Sequence, residues 1–162
     1  MKLSTSDVNY TGKKLTPKIT VYDRNNKVVT VGNYTVTYKN NIKPGTATVT
    51  VTFKGNYSGT LTGSFSIKPK NTSKLQITSK TKSLVLKWNK APVVTGYQIQ
   101  YSTSSGMKNA RIVTISKSTT TTTTLKKLKA KKTYYLRIRT YYKAGKTTVY
   151  SVWSKVVKKK TK

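Results

Sequence analysis

Residues 83–101 read SLVLKWNKAPVVTGYQIQY, and the spacing of their apolar residues indicates the fold class. Leu84, Leu86 and Trp88 occupy every second position, and Tyr97 and Ile99 do the same further along. An apolar side chain at every second position is typical of a strand with one buried face. The stretch therefore predicts two half-buried β-strands.

The same spacing recurs on both sides of this stretch. It predicts seven strands, over residues 75–78, 83–88, 96–102, 111–116, 120–125, 133–142 and 149–157. Seven short strands in roughly 100 residues, each with one apolar face, predict a two-sheet β-sandwich. The threonine run 119–124 fits an edge strand anchored by Leu125, because threonine is β-branched.

The N-terminal region shows a second set of short strands. Alternation and turn residues predict strands over residues 19–22, 28–31, 34–38, 46–53 and 63–67. The polar, proline-containing segment 68–74 separates this set from the other one. We therefore expect an all-β chain of two tandem β-sandwich modules, residues 1–69 and 70–162.

The composition excludes most kinds of active site. The chain of 162 residues has 33 Lys and Arg against two acids, Asp7 and Asp23, and it has no His and no Cys. General acid–base catalysis, catalytic triads, zinc sites and calcium sites all need residues that are missing or isolated here. Serine–lysine chemistry has its residues but no motif. We expect no enzyme activity, no metal and no cofactor.

The positive charge is concentrated in the second half. Residues 1–70 carry a net charge of +9, whereas residues 71–162 carry +22 and no acid. Two lysine clusters are the candidate contacts for a polyanion, and the ordinary alternative is a solvated face that keeps the protein soluble. The candidates are Lys126, Lys127, Lys129, Lys131 and Lys132 in one loop, and Lys155, Lys158, Lys159 and Lys160 in the tail.

The type of basic residue favours diffuse attraction over sequence recognition. Only four of the 33 basic residues are Arg. Lysine is a hydrated point charge, while arginine offers the planar fork that recognises phosphate and guanine bidentately. No helix-turn-helix, zinc-finger or RNP-like motif is present.

The second region resembles a fibronectin type III domain. Trp88 stands where that family has its core tryptophan, residues 96–101 look like its third strand, and Leu128 with Tyr134 looks like its tyrosine corner. The resemblance implies a buried core that contains Trp88, Tyr97, Ile99, Leu128, Tyr134, Leu136 and Ile138. The lysine-rich version found here looks most like modules of Gram-positive surface proteins.

The first region resembles an immunoglobulin-like repeat of the same surface proteins. The resemblance rests on residues 10–17 (YTGKKLTP), 33–38 (NYTVTY), 45–49 (GTATV) and 55–59 (GNYSG). It implies an immunoglobulin-like β module ahead of the fibronectin-like one.

One aromatic residue near the C-terminus is expected to stack on arginine. Arg137 and Arg139 lie on one face of their strand, and Trp153 lies on the strand predicted to pair with it. Alternating guanidinium and indole layers would give cation–π contacts of about 0.5–2 kcal/mol each. The Ser-Val-Trp-Ser sequence at 151–154 resembles half of the WSxWS element of cytokine receptors, for which a structural role is the simplest interpretation.

These resemblances imply a location more than a chemistry. We expect a non-catalytic, extracellular module pair of a Gram-positive cell-surface protein, a monomeric spacer or adhesive segment with affinity for anionic surfaces. The segment would belong to a longer protein and lack its signal peptide and anchor, and it has no transmembrane stretch. The alternatives are a dedicated binder of nucleic acid, teichoic acid or acidic glycan, an accessory module of a surface enzyme, or a charge-engineered module pair.

Overall fold

The computed structural model describes residues 1–162 and is all-β apart from a short 3-10 turn at Val31–Asn33. The chain divides into two compact units. The first comprises Met1–Lys68 with Ala144–Val149, and the second comprises Pro69–Lys143 with Tyr150–Lys162. The architecture confirms the predicted all-β sandwich fold.

The first unit is built around a four-stranded sheet. Strand β5 lies between β6 and β4, and β2 runs parallel to β6 at the edge, while β1 and β3 form a separate pair. Ala47, Val49 and Val51 alternate with threonine along β5 and are fully buried. The strands are β1 Lys2–Leu3, β2 Asp7–Asn9, β3 Ile19–Thr20, β4 Tyr34–Lys39, β5 Gly45–Phe53 and β6 Thr60–Lys68.

The strand predicted over residues 28–31 is wrong. Val28 makes only an isolated bridge to Tyr22, and the chain then enters the 3-10 turn. A tight turn holds this segment, because the Asp23 carboxylate accepts hydrogen bonds from backbone N–H groups two and four residues on, at 2.9 and 2.8 Å. Val29 is buried while Val31 is 75% exposed, so the apolar run has only one residue to bury.

The other eight strands form two sheets, and they belong to the second unit except for residues 144 and 147–149, which group with the first. Three form a sheet in the order β11-β8-β7, and five form a sheet in the order β10-β9-β12-β13 with β14 also paired to β12. The threonine-rich β11 lies at an edge, and Leu125 at its end is buried. The strands are β7 Gln76–Lys80, β8 Ser83–Lys87, β9 Gly96–Ser102, β10 Arg111–Ile115, β11 Thr122–Leu125, β12 Thr133–Ala144, β13 Thr147–Tyr150 and β14 Val157–Lys160.

Strands β9 and β10 approach closely at Gly96. A Cβ atom at this position would collide with the carbonyl oxygen of Ile115. The third-strand motif therefore begins with glycine for a steric reason.

The single last strand predicted over residues 149–157 is also wrong, because β13 and β14 are separated by residues 151–156. Serine hydroxyls interrupt the ladder there. The N–H groups of Thr140 and Ile138 donate to the side-chain oxygens of Ser151 and Ser154, each at 3.0 Å. The serine N–H groups donate back to the carbonyls of Thr140 and Ile138 at 3.0 and 2.8 Å. The segment thus stays attached to β12 without regular strand geometry.

Candidate anion-binding surface

The predicted core residues form the interior of the second unit. All seven are at most 7% exposed: Trp88, Tyr97, Ile99, Leu128, Tyr134, Leu136 and Ile138. The rings of Trp88 and Tyr97 lie 5.3 Å apart between their centroids. Trp88 Nε1 is the one buried side-chain polar atom without a hydrogen-bond partner. The indole is therefore held by apolar packing alone.

The Tyr134 side chain fixes the loop that precedes its own strand. Its hydroxyl accepts a hydrogen bond from the backbone N–H of Lys129 at 2.9 Å. Leu128 is buried beside it, and its N–H donates to the carbonyl oxygen of Lys82 at 2.9 Å. The lysine-rich loop is therefore held to the core at Leu128 and Lys129.

Trp153 lies between two arginines on the outer face of the five-stranded sheet. The guanidinium carbons of Arg137 and Arg139 are 4.9 and 4.4 Å from the indole centroid. Arg139 also lies 4.0 Å from the ring of Tyr150. The structure thus brings together the three residues of the predicted stack and adds Tyr150, although Trp153 lies in the irregular segment and not on a strand.

The two guanidinium groups are oriented by glutamines of the neighbouring strand. Arg137 Nε donates to Gln100 at 2.7 Å, and Arg139 donates to Gln98 through Nε at 2.9 Å and Nη2 at 2.7 Å. Burial lowers the pKa of Arg139, with a further lowering by Arg137 and an opposing effect of Tyr150. These hydrogen bonds hold both guanidinium groups in the stack, so we assign the two arginines a structural role.

The five loop lysines are all exposed and lie between β11 and β12. Three of them, Lys127, Lys129 and Lys132, border a cleft of the same unit, whereas Lys126 and Lys131 do not. Lys127 and Lys131 adopt left-handed backbone conformations, with φ of 56° and 51°. Such conformations are uncommon for non-glycine residues and persist where surrounding contacts hold them.

The tail lysines lie on and beside β14, and they too are exposed. The register of β14 on β12 sets Lys158 opposite Tyr135, Lys159 opposite Tyr134 and Lys160 opposite Thr133. Lys155 lies before the strand, in the irregular segment. The tail is therefore an ordered part of the sheet.

Thr161 joins the two lysine clusters. Its hydroxyl donates to the carbonyl oxygen of Lys129 at 2.7 Å, and the carbonyl oxygen of Lys132 is a second, longer acceptor at 3.2 Å. The same hydroxyl accepts a hydrogen bond from the N–H of Lys132 at 3.1 Å. Its own N–H donates to the Lys132 carbonyl at 3.0 Å. Thr161 is buried, so its hydrogen bonds hold the backbone of the lysine-rich loop against the end of the tail. Sequence reasoning missed this residue, because a lone threonine between lysines carries no signal.

The carboxylates lie in the first unit and are already engaged. Asp7 forms an ion pair with Lys68 at 3.0 Å, and Asp23 caps its turn. The second unit has no side-chain carboxylate to neutralise its basic groups. The formal charges of its side chains are therefore all positive.

The fibronectin type III family model matches residues 67–157. The chain belongs to the fibronectin type III family. The match covers more than half of the chain and includes the core tryptophan, the tyrosine corner and the Arg–Trp stack. Domains of this family are typically extracellular and in general non-catalytic.

Solved structures of this family show the same fold at low sequence identity. The FN1–FN3 domains of chicken CNTN1 align with a TM-score of 0.50 and 20% identity, over 74% of this chain and 42% of that one. The chain therefore spans less than half of that structure. The fn3 domain of human contactin 1 aligns with a TM-score of 0.50 and 15% identity, over 57% of this chain and 77% of that one.

No curated protein matches the chain in sequence. The structure contains no helix with the length and apolar character needed to cross a membrane.

Proposed function

We propose that the chain is a non-catalytic, extracellular module pair of a bacterial surface protein, which serves as a spacer and associates with anionic polymers. In this proposal residues 1–69 form an immunoglobulin-like surface repeat and residues 70–162 the fibronectin type III domain. The observation that carries it is the joining of two lysine clusters by Thr161 on a domain without acids.

The geometry favours a polymer over a single small ion as the main partner. The loop lysines and the β14 lysines extend across one end of the domain and along its edge strand. All of them are exposed, and no carboxylate of their own unit pairs with them. A polyanion that follows this surface exchanges its bound counterions for lysines, and the entropy of the released ions drives binding.

The chemistry of lysine predicts tolerance for different polymers. A lysine interacts with phosphate or sulfate as a point charge and not through a fixed planar geometry. Polyol phosphates of a cell wall, acidic glycans and nucleic acids should therefore all bind, with affinities that follow charge density. Affinity should fall steeply as salt rises.

The test compares three lysines of the surface with three elsewhere. Lys158, Lys159 and Lys160 are changed to Gln together, and the matched control changes the exposed Lys13, Lys14 and Lys18 of the first unit. Binding to polyglycerol phosphate, heparin and duplex DNA is measured from 50 to 300 mM salt. We expect the tail variant to bind about tenfold more weakly at 150 mM, and its log–log salt slope on DNA to fall by about 2–3.

The control variant should change affinity less than about twofold. Equal losses of affinity in both variants would show that net charge alone determines binding, which would contradict a defined binding surface. A parent protein that binds none of the three polymers at 150 mM salt would remove the anionic-surface function and leave only the spacer.

A further inference from the structure

A cleft of about 480 Å³ opens beside the basic surface in the second unit. It lies between the β9–β10 loop, residues 103–110, and the β11–β12 loop, residues 126–132. The pairing of β12 with β9 sets Tyr135 opposite Ser102, which brings the two loops to the same end of the sheet. Its volume is in the range of pockets that enclose small ligands, about 300–1,000 Å³.

The cleft is cationic on every side. Five basic residues line it: Lys108, Arg111, Lys127, Lys129 and Lys132. Lys108 comes from the opposite loop and Arg111 from the first position of β10, and neither belongs to a lysine cluster. Because the unit contains no Asp or Glu, a bound anion would meet no competing side-chain charge.

The floor of the cleft is aromatic. Tyr101 and Tyr134 line it with ring centroids 6.3 Å apart and planes inclined by 52°, and Leu128 lies beside them. The Tyr134 hydroxyl accepts a hydrogen bond from the Lys129 N–H at 2.9 Å, which fixes its ring under the loop. An apolar floor under a charged rim suits a ligand with a carbon body and an anionic head.

Hydrogen bonds hold both walls before any ligand arrives. The Ser102 hydroxyl donates to the carbonyl of Lys108 at 2.6 Å and accepts from the N–H of Ser104 at 3.0 Å. The opposite loop is held by Tyr134 and by Thr161, as described above. A site whose walls are already fixed loses little conformational entropy on binding.

We propose that this cleft binds a phosphate monoester carried on a sugar or polyol. The five cations favour a doubly charged, compact head, since a phosphodiester within a chain offers half that charge. Arg111 supplies a bidentate donor and the lysines supply point charges, while the tyrosine floor contacts the carbon body. The inference rests on the proposed function for its class of partner and adds a discrete site to a diffuse surface.

The probe is glycerol 1-phosphate, titrated into the full ¹⁵N-labelled chain and followed by ¹H–¹⁵N correlation spectra at constant ionic strength. Sodium chloride, sodium sulfate and a glycerol phosphodiester serve as separate arms. The cleft variant changes Lys108 and Arg111 to Gln, and the matched control changes the exposed Lys90 and Lys117 of the same unit to Gln. Unchanged spectra of the core residues show that each variant is folded.

We expect saturable shifts confined to residues 101–111 and 127–134, and a Kd for glycerol 1-phosphate at least fivefold lower than for sulfate or the diester. The Kd should rise about tenfold or more in the cleft variant and less than twofold in the control. Shifts that chloride reproduces, equal losses in both variants, or equal affinity for monoester and diester would each overturn the proposal.

The same variants separate this site from the polymer surface. The cleft variant should retain at least half of its affinity for polyglycerol phosphate, whereas the Lys158, Lys159 and Lys160 variant should keep its Kd for glycerol 1-phosphate. If the parent protein binds glycerol 1-phosphate but none of the polymers, the proposed function alone is refuted. If the parent protein binds the polymers but not glycerol 1-phosphate, the cleft proposal alone is refuted.

Discussion

Replacing Thr161 with valine tests how the C-terminus holds the basic loop. Valine has nearly the same shape but lacks the hydroxyl, which donates to the carbonyl of Lys129 and accepts from the N–H of Lys132. The side chain is buried, with the whole residue 4% exposed, so water cannot simply replace both bonds. The substitution therefore removes two hydrogen bonds and leaves the backbone path otherwise intact.

The expected loss follows from those two bonds. Each contributes about 1 kcal/mol net, and a partner left without a hydrogen bond adds to the cost. The additional methyl group of valine offsets part of this loss, by at most about 0.8 kcal/mol. We expect the second unit to lose about 1–3 kcal/mol of unfolding free energy. Thr161→Ser keeps the hydroxyl and loses a methyl group, so it should cost only about 0.8 kcal/mol.

Tryptophan fluorescence during urea denaturation measures this change in the right unit. Both tryptophans, Trp88 and Trp153, belong to the second unit, so the signal does not report on the first. The predicted order of stability is parent, then Thr161→Ser, then Thr161→Val. If the valine variant is as stable as the parent, or more stable than the serine variant, then Thr161 acts by apolar packing and the joining of the clusters is wrong.

Three other predictions concern the core, the stack and the pH dependence. Trp88→Ala should cost about 3–5 kcal/mol and unfold the second unit, as seen in near-ultraviolet circular dichroism; a variant that melts like the parent would contradict the core assignment. Trp153→Ala should cost about 1–3 kcal/mol by urea denaturation, because two cation–π contacts disappear, and Trp153→Phe should recover part of it; identical stability of all three proteins would assign the stack no energy. Burial raises the pKa of Tyr38, whose hydroxyl donates to the Pro17 carbonyl at 2.7 Å. Because the pKa of Tyr38 is higher in the folded state than in the unfolded state, its stabilising effect is complete below about pH 10 and is lost as pH rises through the folded-state pKa. The melting temperature should therefore fall less between pH 9 and pH 11 in Tyr38→Phe than in the parent.

Most strands of the second unit follow from local pattern. Leu84, Leu86 and Ile99 alternate with outward-facing neighbours, and each is fully buried in the structure. The two errors have a shared cause, because side chains replaced backbone partners. The Asp23 carboxylate closes a turn where a strand was predicted, and the hydroxyls of Ser151 and Ser154 break the last strand. The alternation of apolar residues does not show where a side chain takes the place of a backbone hydrogen-bond partner.

The candidate site divides in the same way. Runs of lysine are visible in any reading of the chain, and their number made an anionic partner the natural hypothesis. Lys108 and Arg111 are isolated in sequence and belong to no basic run, yet they line the same cleft as Lys127, Lys129 and Lys132. Only the pairing of β12 with β9 brings the two loops together.

The fold class and the sign of the charge follow from the amino-acid sequence alone. Alternation, turn residues and the missing acids and histidines are properties of single residues and their near neighbours, so they need no coordinates. The folded structure was needed to show which basic residues from distant parts of the chain meet and what shape of cleft they line. Thr161 is about 30 residues from the loop that it holds, and the cleft needs two loops from different strand pairs. Contacts between residues so far apart in sequence depend on which strands pair with each other, and the alternation of apolar residues within one strand does not specify its partner.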